Sequence, residues 1–323
     1  MSKTKNDAAD VADSWNTYWH GARHGEAYTG GGGTHPLIFS FWDGVFTALR
    51  ARKQAPRIVD VASGNGALVG RAQAEFGDGI FLACLDISNA AVRGLAKRFA
   101  GVHGIVADIR KIPLVSDSCD MVVSQFGIEY AGLGAVGEAA RLVVPGGEIV
   151  LLLHYRDGGI HRRCAVALEA LRAIDDARFI PRSIEAFESG FSALHGGDRA
   201  RYEAAASALV PAVRTVESVI RQHGRQVADG TILRLYQDVK TMHERMQHYE
   251  PAEVLGWLRG MQDEIKAYAG RMASMCDAAI DGAQFRGLCD DLVGRGFELQ
   301  RYEALVDPVR DTPLAWTLVA QRS

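Results

Sequence analysis

The chain has 323 residues, 48% of them hydrophobic and 23% charged, with a formal net charge of −3. That length and apolar content can bury one large core or two, and the slightly acidic balance argues against a nucleic-acid binder. No apolar run is long enough to span a bilayer, and the polar start Met1 to Asp7 lacks the stretch of a signal peptide, so a cytoplasmic protein is expected.

Residues 1–12 read as disordered. From Val11 to about Arg52 the chain is rich in aromatics, among them Trp15, Trp19, Tyr28, Phe41, Trp42 and Phe46. Two helical pieces flank Gly30 to Gly33, and four consecutive glycines predict a hinge. The segment is either a flap over a ligand or a packing segment with a loose loop.

The stretch Arg57 to Gly70 organises the rest of the chain. Ile58 to Ala62 is an apolar, β-branched run of the kind a buried parallel strand uses. Ser63-Gly64-Asn65-Gly66 breaks it, and Ala67-Leu68-Val69 starts a helix that runs to Phe76. This order brings backbone N–H groups and a helix N-terminus toward a ligand. A dinucleotide fingerprint would need a glycine at position 69, where valine stands. Asp60 lies in the strand itself. The pattern Asp60-Val-Ala62-Ser63-Gly64-Asn65-Gly66 resembles the first motif of class I S-adenosylmethionine-dependent methyltransferases, with Ala62 in place of its first glycine. A glycine turn without a ligand is the bland alternative.

Further along, Gly79 to Asp86 reads as the second strand, and Ser88 can cap the helix that begins near Asn89. Gly104 to Ala107 reads as a third strand, ending at Asp108-Ile109. Asp120 to Ser124 reads as the fourth, leading into Gln125-Phe126-Gly127-Ile128-Glu129-Tyr130. Val144 to Gly147 reads as a turn, with Glu148 to Leu153 as the fifth strand and His154 directly after it. The resemblance implies roles for these residues. Asp86 would accept from the ribose hydroxyls with Ile87 beside it, Asp108 from the adenine amino group with Ile109 on the ring, and Gln125 and Phe126 would lie beside the sulfonium. Tyr28 would reach the cofactor from the aromatic segment.

Some 120 residues with helical patterning come next, most clearly Leu255, Leu258, Met261, Ile265, Tyr268, Met272 and Met275. Another helix is expected over Thr231 to Gln247. The methionines read as core, with a cavity lining or a homodimer seam through the cap as alternatives. The chain then resumes an α/β pattern, with a helix over Phe285 to Val293 and strands over Phe297 to Tyr302 and Leu314 to Ala320.

The expected fold is thus α/β, a seven-stranded, mostly parallel Rossmann-like sheet with helices on both faces and an antiparallel last strand. Its parts are an N-terminal flap (1–55), a cofactor-binding core (56–160), a helical cap inserted after the fifth strand (161–283) and a C-terminal completion of the sheet (284–323). The resemblance implies S-adenosyl-L-methionine as cofactor, S-adenosyl-L-homocysteine as product and a small, hydrophobic methyl acceptor, with oxygen the favoured atom. A protein methyltransferase and a non-catalytic cofactor-binding scaffold are the alternatives. Methyl transfer needs positioning and exclusion of water, and a base only for a poorly ionised acceptor. His154, Glu129 and Tyr130 come after strand ends and are the catalytic candidates. The acceptor site is expected between core and cap, with His154 pointing into it. The five cysteines (Cys84, Cys119, Cys164, Cys276 and Cys289) have no ligand spacing, so free thiols and no metal are expected.

Overall fold

A computed structural model describes Trp15, Asn16, Trp19 and residues 35–323, with Asp78 described through its backbone alone. Tyr28 and the glycine run at 30–33 lie outside the described residues. The chain divides into two compact units. One joins the described residues up to His161 with Ala278–Ser323, and the other is Arg162–Asp277.

The first unit is a single seven-stranded sheet in the order β3-β2-β1-β4-β5-β7-β6. Its strands are β1 (Arg57–Val61), β2 (Phe81–Asp86), β3 (Val102–Val106), β4 (Cys119–Gln125), β5 (Val143–His154), β6 (Phe297–Asp307) and β7 (Thr312–Arg322). The first five pair in parallel, while β7 runs antiparallel to both β5 and β6. The chain order reverses between β1 and β4, and the carboxyl ends at such a switch point are where open α/β sheets bind ligands.

Both faces of the sheet are covered, which is why its central strands are apolar at nearly every position. On one face Ile58, Leu82 and Met121 pack with helix α1 (Pro36–Arg52) and helix α2 (Val69–Phe76), through Ile38, Trp42, Phe46, Val69 and Ala72. On the other, Val59, Val61 and Val122 pack with Val136 and Ala139 and with Phe285, Leu288 and Leu292. Helix α3 (Asn89–Arg98) starts where Ser88 Oγ accepts from Ala91 N–H at 3.2 Å.

Several boundaries differ from the sequence reading. The fifth strand begins at Val143 rather than Glu148. Val143 pairs with Cys119 across a register shift, so Pro145 lies inside an irregular strand instead of a free turn. The third strand is displaced toward Val102, and β6 and β7 are both longer than their apolar spans. Backbone pairing in that hairpin continues through polar residues such as Arg301, Glu303 and Gln321.

The second unit is helical. It holds most of a helix begun at Gly159 (Gly159–Asp176), then Phe179–Leu194, Arg199–His223, Thr231–Glu244 and most of Pro251–Ala278. Along the last of these the buried face is Val254, Leu258, Ile265, Tyr268, Met272 and Met275. The stripe therefore starts at Val254 rather than Leu255. Ahead of Thr231, Ala228 and Asp229 adopt left-handed backbone angles, and Tyr268 Oη donates to Asp229 Oδ2 at 2.6 Å.

Candidate active site

The strand–turn–helix at β1 stands at this switch point. Asp60 is 2% exposed, and its Oδ2 has no hydrogen-bond partner among the described residues. Burial pushes this carboxyl well above the usual carboxylate range, and the neighbouring charge of Asp86 adds to the effect. Ser63, three residues on, is also buried, and its Oγ likewise lacks a partner among the described residues. Ala62 sits at φ 54°, a left-handed conformation that suits the glycine the family motif has there.

Asp86 ties this turn to the second strand. Its Oδ2 accepts from Gly64 N–H and its Oδ1 from Ser88 N–H, both at 2.8 Å. Burial raises its carboxyl, and the backbone donors of Ser88, Gly64 and Ile87 partly offset this. Asn65 closes the other side of the turn, its carbonyl accepting from Arg98. Gly66 could not carry a Cβ without pressing Val69, Leu95 and Phe99 at 3.0–3.1 Å.

At the third strand end, Arg110 holds both oxygens of Asp108, at 2.6 to 3.0 Å, and keeps its carboxyl below the usual range. The residue expected to receive an adenine amino group is thus already in a bidentate ion pair. Ile109, expected on the adenine ring, is 6% exposed and belongs to the core cluster of that sheet face.

The fourth and fifth strand ends meet. Gln125 pairs with Leu152, and Phe126 comes next at φ 52° with its N–H on Leu152 O. Gly127 is needed for close approach, since a Cβ there would lie 2.6 Å from the Ala62 Cβ and 2.8 Å from the Ala62 carbonyl oxygen. The turn after it delivers Glu129 to His154. Glu129 Oε1 accepts the His154 backbone N–H at 2.9 Å and lies 2.7 Å from its Nδ1, with both side chains at most 1% exposed. The imidazole stacks on Phe126 at 4.5 Å and meets the Tyr130 ring edge-on at 5.8 Å. The three catalytic candidates therefore form one cluster, with Phe126 as its fourth member.

Three residues of the N-terminal segment join this edge. Trp15 packs edge-on against Tyr130 at 5.3 Å, and Asn16 Oδ1 accepts from Ser88 Oγ at 2.9 Å and Ala90 N–H at 3.2 Å. A Cβ on Gly64 would lie 2.6 Å from the Trp19 ring, so that glycine makes room for an indole of its own chain. Sequence reasoning passed over Asn16. It stands in no motif, and its contacts are long-range.

A family model for methyltransferase domains matches residues 58–147. That stretch of the core, β1 to β5, is thus similar to methyltransferase domains. A malonyl-[acyl-carrier protein] O-methyltransferase from Enterobacter lignolyticus (strain SCF1) is 31% identical over 160 residues, 48% of this chain and 59% of that protein. A protein of the same description from Marinomonas sp. (strain MWYL1) is 29% identical over 108 residues, 32% of this chain and 40% of that protein. The chain thus spans about half the length of the curated relatives it matches. Among solved structures, an S-adenosylmethionine dependent methyltransferase from Mesorhizobium loti is 24% identical at a TM-score of 0.30, covering 35% of this chain and 56% of that one. The fold of the methyltransferase domain rests on its strand order rather than on that likeness. Among the described residues no cluster of His, Cys, Asp and Glu has the makings of a metal site, and no helix is long and apolar enough to cross a membrane.

Proposed function

We propose that this protein is an S-adenosyl-L-methionine-dependent methyltransferase acting on a small, hydrophobic molecule, with oxygen as the accepting atom. One observation carries the reading. Asp60, Ser63, Gly64 and Asp86 converge on one turn, and two buried polar atoms there, Asp60 Oδ2 and Ser63 Oγ, have no hydrogen-bond partner among the described residues. Buried polar groups are paired in nearly all folded proteins, so orphans on a glycine turn fit a ligand that carries its own donors. Asp60 suits a cationic group, and Asp86 keeps lone pairs for ribose hydroxyls after serving Gly64 and Ser88.

When bound, that cofactor supplies a methyl group activated by a sulfonium. The chain's own residues have the remaining tasks, which are to hold the adenosine and methionine ends, to line up the acceptor and to keep water out. The descriptions of the curated relatives support oxygen as the acceptor atom. They also supply a second reading, in which the acceptor is a carboxylate on a carrier-bound malonyl group, as those proteins' names state.

Asp86→Asn tests the cofactor assignment while preserving side-chain size. Calorimetric affinity for S-adenosyl-L-homocysteine should fall about ten- to hundredfold, roughly 1.5–3 kcal/mol, with circular dichroism unchanged. Undiminished affinity in a folded variant would remove Asp86 from the site. Tight binding of a nicotinamide dinucleotide by the wild-type protein would overturn the cofactor altogether.

A further inference from the structure

Strand β6 ends the sheet on one side, and among the described residues no strand pairs with its outer edge. It is eleven residues long and holds neither lysine nor proline, the residues that commonly blunt an exposed edge. Thr317 Oγ1 donates to the Glu303 carbonyl at 2.9 Å, which places the Glu303 backbone groups toward β7. Successive strand residues present their N–H and C=O groups to opposite sides, so those of Tyr302 and Ala304 face the open edge. The Ser323 N–H on the Gly296 carbonyl agrees, because the extra residue Gln300 between Leu299 and Arg301 reverses the parity along β6. Tyr302 is 58% exposed and Val306 39%, so this edge also leaves apolar surface in water.

The charges along this edge are spaced to complement themselves. Arg301 and Glu303 flank Tyr302 on one face of the sheet, where Arg301 Nε donates to Glu303 Oε1 at 2.8 Å and the guanidinium lies 5.4 Å from the Phe41 ring. Both contacts hold the Arg301 side chain in place before any partner arrives, which lowers the entropy cost of a further pair. Two copies of β6 running antiparallel about a twofold axis at Tyr302 would exchange N–H···O=C bonds at that residue. Arg301 of each would then stand directly opposite Glu303 of the other, in the closely spaced, non-hydrogen-bonded positions of the ladder. Moving the axis one residue, to Glu303, would set two carboxylates face to face. The charges therefore single out one register and one partner.

We propose that β6 is a docking edge for a second copy of this chain, which adds its own β6 antiparallel with the twofold axis at Tyr302 and reciprocal Arg301–Glu303 pairs on either side. The two seven-stranded sheets then become one. The edge lies wholly in the sheet unit, and the proposal does not depend on the methyltransferase reading. Only a short straight segment, Arg301 to Leu305, lies between the two register shifts of the β6–β7 hairpin. Reversible association with a Kd on the order of micromolar is therefore expected.

Sedimentation equilibrium of the full-length protein, from about 1 to 100 µM, reads the association directly. Twice the mass of one chain is expected at the upper end. Arg301→Glu leaves only carboxylates at the four facing positions and Glu303→Arg only guanidinium groups, so each variant alone should self-associate about ten- to hundredfold more weakly. Mixed one to one, the two variants should regain the wild-type affinity within about threefold, because every facing pair is again of opposite sign. Repair of the contact within one chain cannot produce that rescue, since neither variant has it. Tyr302→Pro removes the N–H at the axis without touching a bond to β7, and should abolish the dimer with circular dichroism unchanged. If that variant does not fold, the charge mixture decides. A wild type that is monomeric throughout this range would overturn the proposal. So would a dimer that both charge reversals leave intact, as a seam through the helical unit would give, or weakening by both reversals without rescue in the mixture.

Discussion

Asp60 shows how much a single side chain can carry beyond its place in a motif. Its acid-to-glycine spacing is visible in the chain, but its burial, its orphan oxygen and its nearness to Asp86 are not. In the free protein burial and the Asp86 charge raise this carboxyl, so it holds its proton to a higher pH than an ordinary aspartate. A bound cation favours the ionised form and lowers the value in the complex. Binding should therefore release protons, and affinity should rise with pH between the bound and free values. Titrations of S-adenosylmethionine in buffers of different ionisation enthalpy should report net proton release in wild type and none in Asp60→Asn. A buffer-independent enthalpy in the wild type would place the cation away from Asp60. Beside it, Ala62 looks like a mild replacement in the sequence. The structure attaches a backbone cost to it, since the left-handed conformation is unfavourable for alanine by about 1–2 kcal/mol.

Between elements, the sheet is secured at its other end by Asp120, the second residue of β4. Arg57 donates through its backbone N–H at 2.8 Å and its guanidinium at 3.3 Å, and Lys53, just past α1, donates at 2.8 Å. Burial works against ionisation of Asp120, but Arg57 and Lys53 more than offset it and the carboxyl is held below its usual range. A depressed acid contributes stability that is present above the unfolded carboxylate value and lost as pH falls through the folded one. Asp120→Asn should thus cost about 1–3 kcal/mol at pH 7 in urea denaturation. The gap to wild type should narrow steadily below about pH 4, where the unfolded carboxylate begins to protonate. A gap that is constant with pH would assign the loss to packing instead.

The molecule as a whole is organised by where the chain leaves and re-enters the sheet unit. Tyr155 bridges to Ile280, Ile280 N–H donates to the His154 carbonyl, and Arg156 N–H donates to the Ile280 carbonyl. Departure and return are therefore stitched side by side within the sheet unit, and the helical unit Arg162–Asp277 is an excursion between them. Replacing 162–277 by a short glycine–serine linker should leave a chain that folds, with its circular dichroism shifted toward sheet. It should still bind S-adenosylhomocysteine within about tenfold of wild type, since the Asp60, Gly64 and Asp86 contacts lie wholly in the sheet unit. An insoluble or unfolded product would show that the sheet unit depends on the helices for its stability.

The elements that could be read from the chain are those whose signals are local. The apolar run from Ile58, the Ser63-Gly64-Asn65-Gly66 break, the Ser88 cap and the 3–4 spacing over 254–275 each express the geometry of a few consecutive residues. The acids at three strand ends could be placed for the same reason, because each stands at a fixed offset from a strand the sequence already marks. Pairing across the fold had no such signal. The Glu129 oxygen that meets His154 arrives from 25 residues away, and Asn16 reaches Ser88 across 72. Gly64 read as a ligand glycine, and that a Cβ there would also press the Trp19 ring is a long-range fact. Asp108 read as an acceptor for an adenine amino group, and the Arg110 that already donates to both its oxygens was not foreseen. Local chemistry names the strands, turns and caps, because backbone geometry repeats every two or four residues. Which side chains then meet is set by close packing, and no short window of sequence contains it.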